Sequence, residues 1–576
     1  MKRFIIGVIT GLLLAGFIGL ILILAVARLG QRRPSVEDNS TLILRLSGDI
    51  PERPSTELPI PFLESQPPPT VAELWSGLRR AAADPRIKAV VVEPRDLVIG
   101  WAILEELHSD LQEFRKSGKP LIAFLRGPGN KEYYLATAAD RIYVAPEDLI
   151  NVKGLRIEAM YLKNTLDKLG VHADVIHAGK YKDAGDIFTM TSMSPETREV
   201  MNNILDQYYG DLVNTIAAGR KKSPDAVRSI IDNAPFSGKQ ALAYGLVDAN
   251  GFEDSVAADL QKRLGQTNLT KIDMRTYVRA TPPSGFDSGR NRIAYIVGSG
   301  IIVQGSGEAP LGQDTGITSG GFTKLLRDAA NDSSIRGAII RVDSPGGDGV
   351  ASDDILQAAR DLSRKKPVVI SMSDLAASGG YFISLTGDPI LAYPNTLTGS
   401  IGVIFAKFNL RGLFDKLGIT EDILTRGRYA DIDSSYAPLT EDERAKLASE
   451  IDDFYSTFIA RVAEGRRRPA AQIAPLAQGR VWLGAQAKQN GLVDQLGGLD
   501  AAVALIKQRA HIGAGERVSL VAYPPRRTLF EQLMARSEEN PEILSRLHAL
   551  LGRDLPIEAW VHGGVMELMP WSITVR

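Results

Sequence analysis

Apolar residues after the first stretch recur in two rhythms. Short β-branched runs such as Val90-Val-Val and Val368-Val-Ile read as buried strands. Between them, apolar positions three and four apart read as one face of a helix, as in Leu78-Arg-Arg-Ala-Ala-Ala. Helix and strand alternate along both halves of the chain. That alternation predicts a mostly parallel sheet covered by helices, an α/β fold.

The opening segment breaks this rhythm. Phe4 to Ala27 is uncharged and mostly apolar, long enough to cross about 30 Å of hydrocarbon at about 1.5 Å per residue. Ala25-Val26-Ala27 also fits a signal-peptide cleavage site, but an h-region of about 7–15 residues would be shorter than this run. A signal anchor over 1–33 is the expectation. Lys2 and Arg3 precede the run and Arg28, Arg32 and Arg33 follow it, so charge leaves its orientation open. Pro51 to Pro69, with seven prolines, reads as an extended, exposed loop.

The body repeats itself. Leu78-Arg-Arg-Ala-Ala-Ala-Asp-Pro-Arg-Ile-Lys is answered by Leu326-Arg-Asp-Ala-Ala-Asn-Asp-Ser-Ser-Ile-Arg. Gly179-Lys-Tyr is answered by Gly427-Arg-Tyr, and Gly245-Leu-Val-Asp by Gly491-Leu-Val-Asp, at an offset of about 245–250 residues. A tandem duplication follows: a first repeat over 41–275, a turn-rich linker over 276–291, a second repeat over 292–515 and an extension over 516–576. In the extension, stretches from Phe530 and Ile543 read as short amphipathic helices, with Trp560 and Trp571 beside them.

Composition narrows the chemistry. The chain has 576 residues, 67 Lys+Arg against 68 Asp+Glu, and no cysteine. Near-neutral charge gives no sign of a nucleic-acid partner. A thiol nucleophile, a Cys-ligated metal and a disulfide framework are excluded. The six histidines show no metal-ligand spacing, and neither metal nor cofactor is expected.

The candidate chemistry lies where the halves differ. Strand Gly337-Ala-Ile-Ile-Arg-Val runs into Asp343-Ser-Pro-Gly346-Gly347-Asp-Gly, and a helix follows from Ala351. Tandem glycines at a strand end can bring N–H groups to an oxyanion, although a plain turn reads the same way. One strand later, Ser378 sits at a corner between Ala377 and Gly379. It fits an exposed nucleophile, or a helix N-cap. No histidine lies near it in the second half before His511, so a Ser-His-Asp triad is poorly supported. The repeat offers a lysine. Lys182 stands opposite Ala430, Ser378 opposite Lys131, and Pro-Gly-Gly opposite Pro94-Arg95-Asp96. Each half has lost what the other keeps, which points to one composite site. A lysine base, ordinarily near 10.4, must fall by roughly 2–3 units to work near neutrality, and burial achieves that.

Gly-Lys-Tyr-Lys-Asp-Ala at 179–184, Asp-Ser-Pro-Gly-Gly at 343–347, Ala-Ala-Ser-Gly-Gly-Tyr at 376–381 and Thr-Leu-Thr-Gly-Ser-Ile-Gly at 396–402 resemble the signal peptide peptidase family, or protease IV family, in its long duplicated form. The resemblance reaches to about residue 510. It implies tandem crotonase/Clp-protease-like α/β domains behind an N-terminal transmembrane helix. It implies a Ser-Lys serine endopeptidase that degrades cleaved signal peptides and other apolar peptides. Ser378 would be the nucleophile, Lys182 the general base, Ser400 the residue that orients the lysine, and Gly346, Gly347 and Gly379 the oxyanion hole. It further implies a single-pass protein of the bacterial inner membrane, a periplasmic body and a homotetramer. Two positions depart from the family: Asp183 after the lysine, and Asp348-Gly349 after the glycine pair. A carboxylate beside Lys182 would raise its pKa unless it points away. Substrate pairing with a strand edge at the site is a natural expectation. Two other readings stay open at this point: an acyl-CoA enzyme using the same glycine loop, and a non-catalytic membrane scaffold.

Overall fold

A computed structural model describes residues 34–53, 68–281, 291–305 and 316–523, together with the backbone of a strand, Val565–Leu568. The Phe4–Ala27 run, most of the Pro51–Pro69 loop, and the stretches from Phe530 and Ile543 with Trp560 and Trp571 lie outside the described residues. Among the described residues no helix is long and apolar enough to cross a membrane.

Each half contains the predicted helix-then-strand unit after a first strand, Ser40–Gly48 or Arg292–Ser299. Thr70 and Glu73 form a capping box that starts helix Val71–Ala83, which buries Leu74, Trp75, Leu78 and Ala81. The chain turns extended at Asp84 and enters strand Ile87–Leu97. In the second half, helix Ser319–Asn331 leads into strand Ile335–Ser344 in the same way.

The two main sheets match strand for strand. The first runs Ala249–Asn250, Arg141–Val144, Leu121–Leu125, Ile87–Leu97, Ser40–Gly48, Thr270–Asp273, with every neighbour parallel. The second runs Gln495–Leu496, Ile390–Ala392, Val368–Ala377, Ile335–Ser344, Arg292–Ser299, Ser519–Tyr523, also parallel throughout. Leu397–Gly399 and Val481–Leu483 branch from its Val368–Ala377 strand. Parallel strands are covered on both faces, which is why they are almost continuously apolar.

This pairing moves two expected boundaries. Ser519–Tyr523 sits beyond the expected end of the second repeat, yet it is an edge strand of that sheet, the counterpart of Thr270–Asp273. The expected linker begins inside a helix, Met274–Ala280, whose N-cap Asp273 accepts the Thr276 N–H.

A third sheet joins the halves. Its order is Ile317–Thr318, Ile302–Val303, Gly346–Asp348, Val565–Leu568, Val403–Asn409, His172–Ala178. The last strand belongs to the first half and pairs antiparallel with Val403–Asn409 over seven positions.

Buried charges lock the halves further. The Arg341 guanidinium donates to Glu52 at 2.7 Å and Glu106 at 2.6 Å, and all three side chains are buried. Ser371 and Ser373 accept from the same guanidinium at 3.0 and 3.1 Å. Glu52 therefore corrects the exposed-loop reading at the start of the proline-rich run: a fully buried arginine needs a carboxylate partner, and this loop supplies one. Asp374, four residues before Ser378, accepts the Gly100 and Ile103 N–H groups at 2.8 Å each. A second-half carboxylate thus caps first-half helix Trp101–Arg115. Gly100 is required there, since a Cβ would lie 2.2 Å from the Asp374 carboxylate.

Candidate active site

Strand Val368–Ala377 ends at Ser378, and a one-turn helix, Gly379–Phe382, follows. Ser378 has φ 54° and ψ −118°, a conformation that ordinary residues avoid and that tight tertiary contacts must hold. Its N–H donates to Gly399 O at 2.8 Å. It occupies the N-cap position but makes no side-chain cap bond. The hydroxyl is engaged elsewhere.

That engagement comes from the first half. After strand His172–Ala178 the chain turns at Gly179 and delivers Lys182, whose Nζ lies 2.8 Å from Ser378 Oγ. The same nitrogen donates to Ser400 Oγ and Ser400 O at 3.0 Å each. Lys182, Ser378 and Ser400 have no exposed surface. Three of the expected residues therefore share one dry point. No described histidine hydrogen-bonds to Ser378; His108 is bonded to Thr137 and His177 to Gly179 O.

The glycine corner lies alongside. A Cβ on Gly379 would stand 3.1 Å from Gly346 Cα and 3.2 Å from Gly347 N, so the two segments touch backbone to backbone. Gly347 has φ +156°, and a Cβ there would collide with Ile302 O. The expected trio does not play one part, because the Gly346 N–H donates to Ser344 Oγ at 3.1 Å. Asp348, the departure after the glycines, is the N-cap of helix Gly349–Lys365 and accepts the Ala351 N–H at 2.7 Å.

Asp183 points away from Lys182 toward Thr197, whose hydroxyl donates to its carboxylate. Burial pushes the Asp183 carboxyl up to about 7, while the Thr197 bond and the Lys182 charge pull it down. Asp374 is likewise pushed up, to about 6, by burial, with its backbone N–H partners opposing.

The sequence reading missed the shelf under Lys182. Tyr181 N–H donates to Gln478 O at 2.7 Å, Gly479 N–H to Ile401 O at 2.7 Å, and Ser400 N–H to Arg480 O at 2.8 Å. Gly479 has φ +73°, and a Cβ there would lie 2.5 Å from Lys182 Cβ. The Arg480 guanidinium lies over the Tyr181 ring at 4.9 Å and the Trp482 ring at 4.7 Å, and pairs with Glu199 at 2.6 Å. The repeat comparison held the signal: at the same offset the first half has no Gly-Arg pair here.

The matching corners are filled or open. In the first half, Glu132 accepts the Leu97 N–H at 2.7 Å and the Gly129 N–H at 2.9 Å, so a carboxylate occupies the donors. Lys131, opposite Ser378, donates to Ile99 O. In the second half, Ala430, opposite Lys182, lies in an exposed loop.

The sequence profile of Peptidase family S49 matches residues 113–267 and 360–513. A chloroplastic serine protease, SPPA, of Arabidopsis thaliana is 33% identical over 516 residues, covering 88% of this chain and 73% of that protein. Protease 4 of Salmonella typhi is 33% identical over 498 residues, covering 82% and 78%. Protease 4 of Haemophilus influenzae is 33% identical over 449 residues, covering 74% and 71%. Among solved structures, a ClpP1 mutant of Listeria monocytogenes covers 36% of this chain at 17% identity and TM-score 0.22, too slight a likeness to add to the topology.

Proposed function

The chain belongs to peptidase family S49 and is a serine protease, and on that footing we propose a Ser-Lys endopeptidase that cuts signal peptides and other apolar peptides. The observation that carries the dyad is the 2.8 Å approach of Lys182 Nζ to Ser378 Oγ in a fully buried setting. Burial disfavours the ammonium, so a neutral amine is available to take the serine proton.

The steps follow from the groups present. Ser378 Oγ attacks the scissile carbonyl carbon and its proton passes to Lys182 Nζ. Ser400, through Oγ and O, holds that nitrogen toward the serine. The Gly347 and Gly379 N–H groups are the donors that receive the developing oxyanion. When the C–N bond breaks, the lysine proton goes to the departing amine. Water then attacks the acyl-serine carbonyl and gives its proton to Lys182 Nζ; the bond from carbon to Ser378 Oγ breaks, that proton returns to Oγ, and the acid is freed.

We propose membrane anchoring through the Phe4–Ala27 run, with the catalytic body on the periplasmic side of a bacterial inner membrane, the side that the family resemblance implies. Anchored there, the enzyme meets apolar peptides by proximity. The proposal extends to a homotetramer, in which exposed Leu417, Ile419, Ile423 and Leu424 are apolar side chains that a second copy would cover.

Fluorophosphonate labelling of the detergent-solubilised protein tests the dyad. The expected result is one adduct at Ser378, absent from Ser378→Ala and strongly slowed in Lys182→Met. Peptide cleavage that survives in Ser378→Ala would overturn the assignment.

A further inference from the structure

Two residues flank Lys182, and one helix holds both. Thr197 donates its hydroxyl to the Asp183 carboxylate, and Glu199 accepts the Tyr181 hydroxyl at 3.2 Å. Thr197 and Glu199 lie near the start of helix Pro195–Arg220, in the first half. The second half supplies the other jaw. The Arg480 guanidinium lies over the Tyr181 ring at 4.9 Å and the Trp482 ring at 4.7 Å, and it pairs with Glu199 at 2.6 Å. The Arg480 carbonyl accepts the Ser400 N–H at 2.8 Å, and Ser400 in turn accepts from Lys182 Nζ. Arg480 thus reaches Lys182 by two routes: through the ring that precedes it in the chain, and through the serine that holds its nitrogen.

The repeat supplies an independent observation. Helices Pro195–Arg220 and Glu441–Arg466 each have 26 residues and follow N-caps Ser194 and Thr440, so Ala445 answers Glu199. Counting back equally from the glycines that start the next short helix in each half, Gly238 and Gly484, Ala234 answers Arg480. Tyr429 answers Tyr181. Both copies keep the tyrosine, but the first alone keeps the carboxylate and the second alone keeps the arginine. An ion pair that served each copy's own fold would lie within a copy. This one spans the two, beside the one place where Lys182 meets Ser378. As a surface pair it would add little stability, since the Glu199 side chain is 50% exposed.

We propose that Arg480 is a positioning residue for the general base, with Glu199 as its partner: together they fix Tyr181, and through it the approach of Lys182 to Ser378. The inference rests on Lys182 as the base. Arginine suits this place because a planar guanidinium stacks on rings while its edge pairs with a carboxylate, which an ammonium does not do. The clamp matters most when Lys182 has taken the serine proton, because the new charge would otherwise draw the side chain toward water.

Arg480→Met, Arg480→Lys and Glu199→Gln are made in the full chain, and hydrolysis of a fluorogenic apolar peptide is followed across pH in detergent. Arg480→Met is expected to lower kcat about 10–100-fold with KM within about twofold, because the base moves and the peptide does not. The rising limb of kcat/KM is expected to move to higher pH, because water that reaches a loosened amine favours its charged form. Arg480→Lys keeps the charge but loses the stacked plane, and is expected to stay at least about threefold below the unaltered chain. Glu199→Gln is expected to lower kcat about three- to tenfold. A lower melting temperature with kcat and the pH limb unmoved is the mark of a purely structural residue, and overturns the proposal. So does a Glu199→Gln chain with unchanged kcat and limb, a variant at a half-exposed position that does not depend on Arg480→Met folding. A Lys182→Met chain that keeps full activity instead overturns the base assignment, and it is read separately.

Discussion

Lys182 and Ser378 stand 196 positions apart in the chain and meet at 2.8 Å, each supplied by a different copy of a duplicated fold. The contact depends on the antiparallel pairing of His172–Ala178 with Val403–Asn409, which carries the first-half turn over the second-half corner. If the pair is the catalytic dyad, Lys182→Met and Ser378→Ala each lower kcat by about 10³-fold or more. The double variant falls little further, because the two act as a unit. Peptide hydrolysis with circular dichroism as the folding control measures this. Additive losses would sink the dyad.

Ser400 holds the lysine through a hydroxyl and a carbonyl, and only the hydroxyl is removed in Ser400→Ala. Losing one hydrogen bond to a charged group costs about 1.5–3 kcal/mol, roughly 10–100-fold in kcat. The expected variant is slow but active. A rate equal to wild type would remove Ser400 from the mechanism.

Gly479 acts on the site through shape alone. Gly479→Ala places a methyl 2.5 Å from Lys182 Cβ at a φ of +73°. The lysine must shift, and a displacement near 1 Å costs about 10²-fold in rate. The expected signature is a fall in kcat with KM within about twofold, since the shelf lies behind the base. A change in KM alone would contradict it.

Asp183 gives the site a pH dependence with a definite sign. Its carboxyl is pushed up to about 7 from 3.8, chiefly by burial, so the folded state holds a proton that the unfolded state releases. This group's contribution to stability therefore falls as pH rises from about 4 to about 7. Asp183→Asn is expected to flatten that fall in urea midpoints. Its carboxylate also favours the charged form of Lys182, so the same substitution moves the rising limb of kcat/KM to lower pH. A limb that moves upward would refute the coupling.

Arg341 is the fully buried cation between two first-half carboxylates. Arg341→Met leaves Glu52 and Glu106 unpaired, and is expected to cost about 3–5 kcal/mol in chemical denaturation. Glu52 lies at the start of a proline-rich run that looked exposed, so the effect also tests whether that loop is part of the core. A loss below about 0.5 kcal/mol would mean water reaches the cluster.

Much of this protein was legible in one dimension. Alternating helical and β-branched stretches predict a parallel α/β sheet, because burial on both faces leaves strands continuously apolar. The repeat was readable because equal folds need equal apolar spacing, and the two sheets have the same strand order. Comparing the copies isolated Lys182, Ser378 and the glycine pair, since functional residues are where duplicated sequences diverge. Other features depend on contacts that no local pattern encodes. Gly346 looks like Gly347 in sequence, yet its N–H goes to Ser344 Oγ. Glu52 reads as a loop residue until Arg341 arrives from 289 positions away. Asp183 beside a lysine implies a raised lysine pKa, and only the structure shows its carboxylate held by the Thr197 hydroxyl. The strand Val565–Leu568 has neighbours on both sides only because two distant strands leave one strand's width between them. Periodicity and repetition are properties of neighbouring residues, so the chain alone determined the fold class and the chemistry available. Which groups meet and which donors are already committed depend on long-range packing, and the tertiary structure alone decided them.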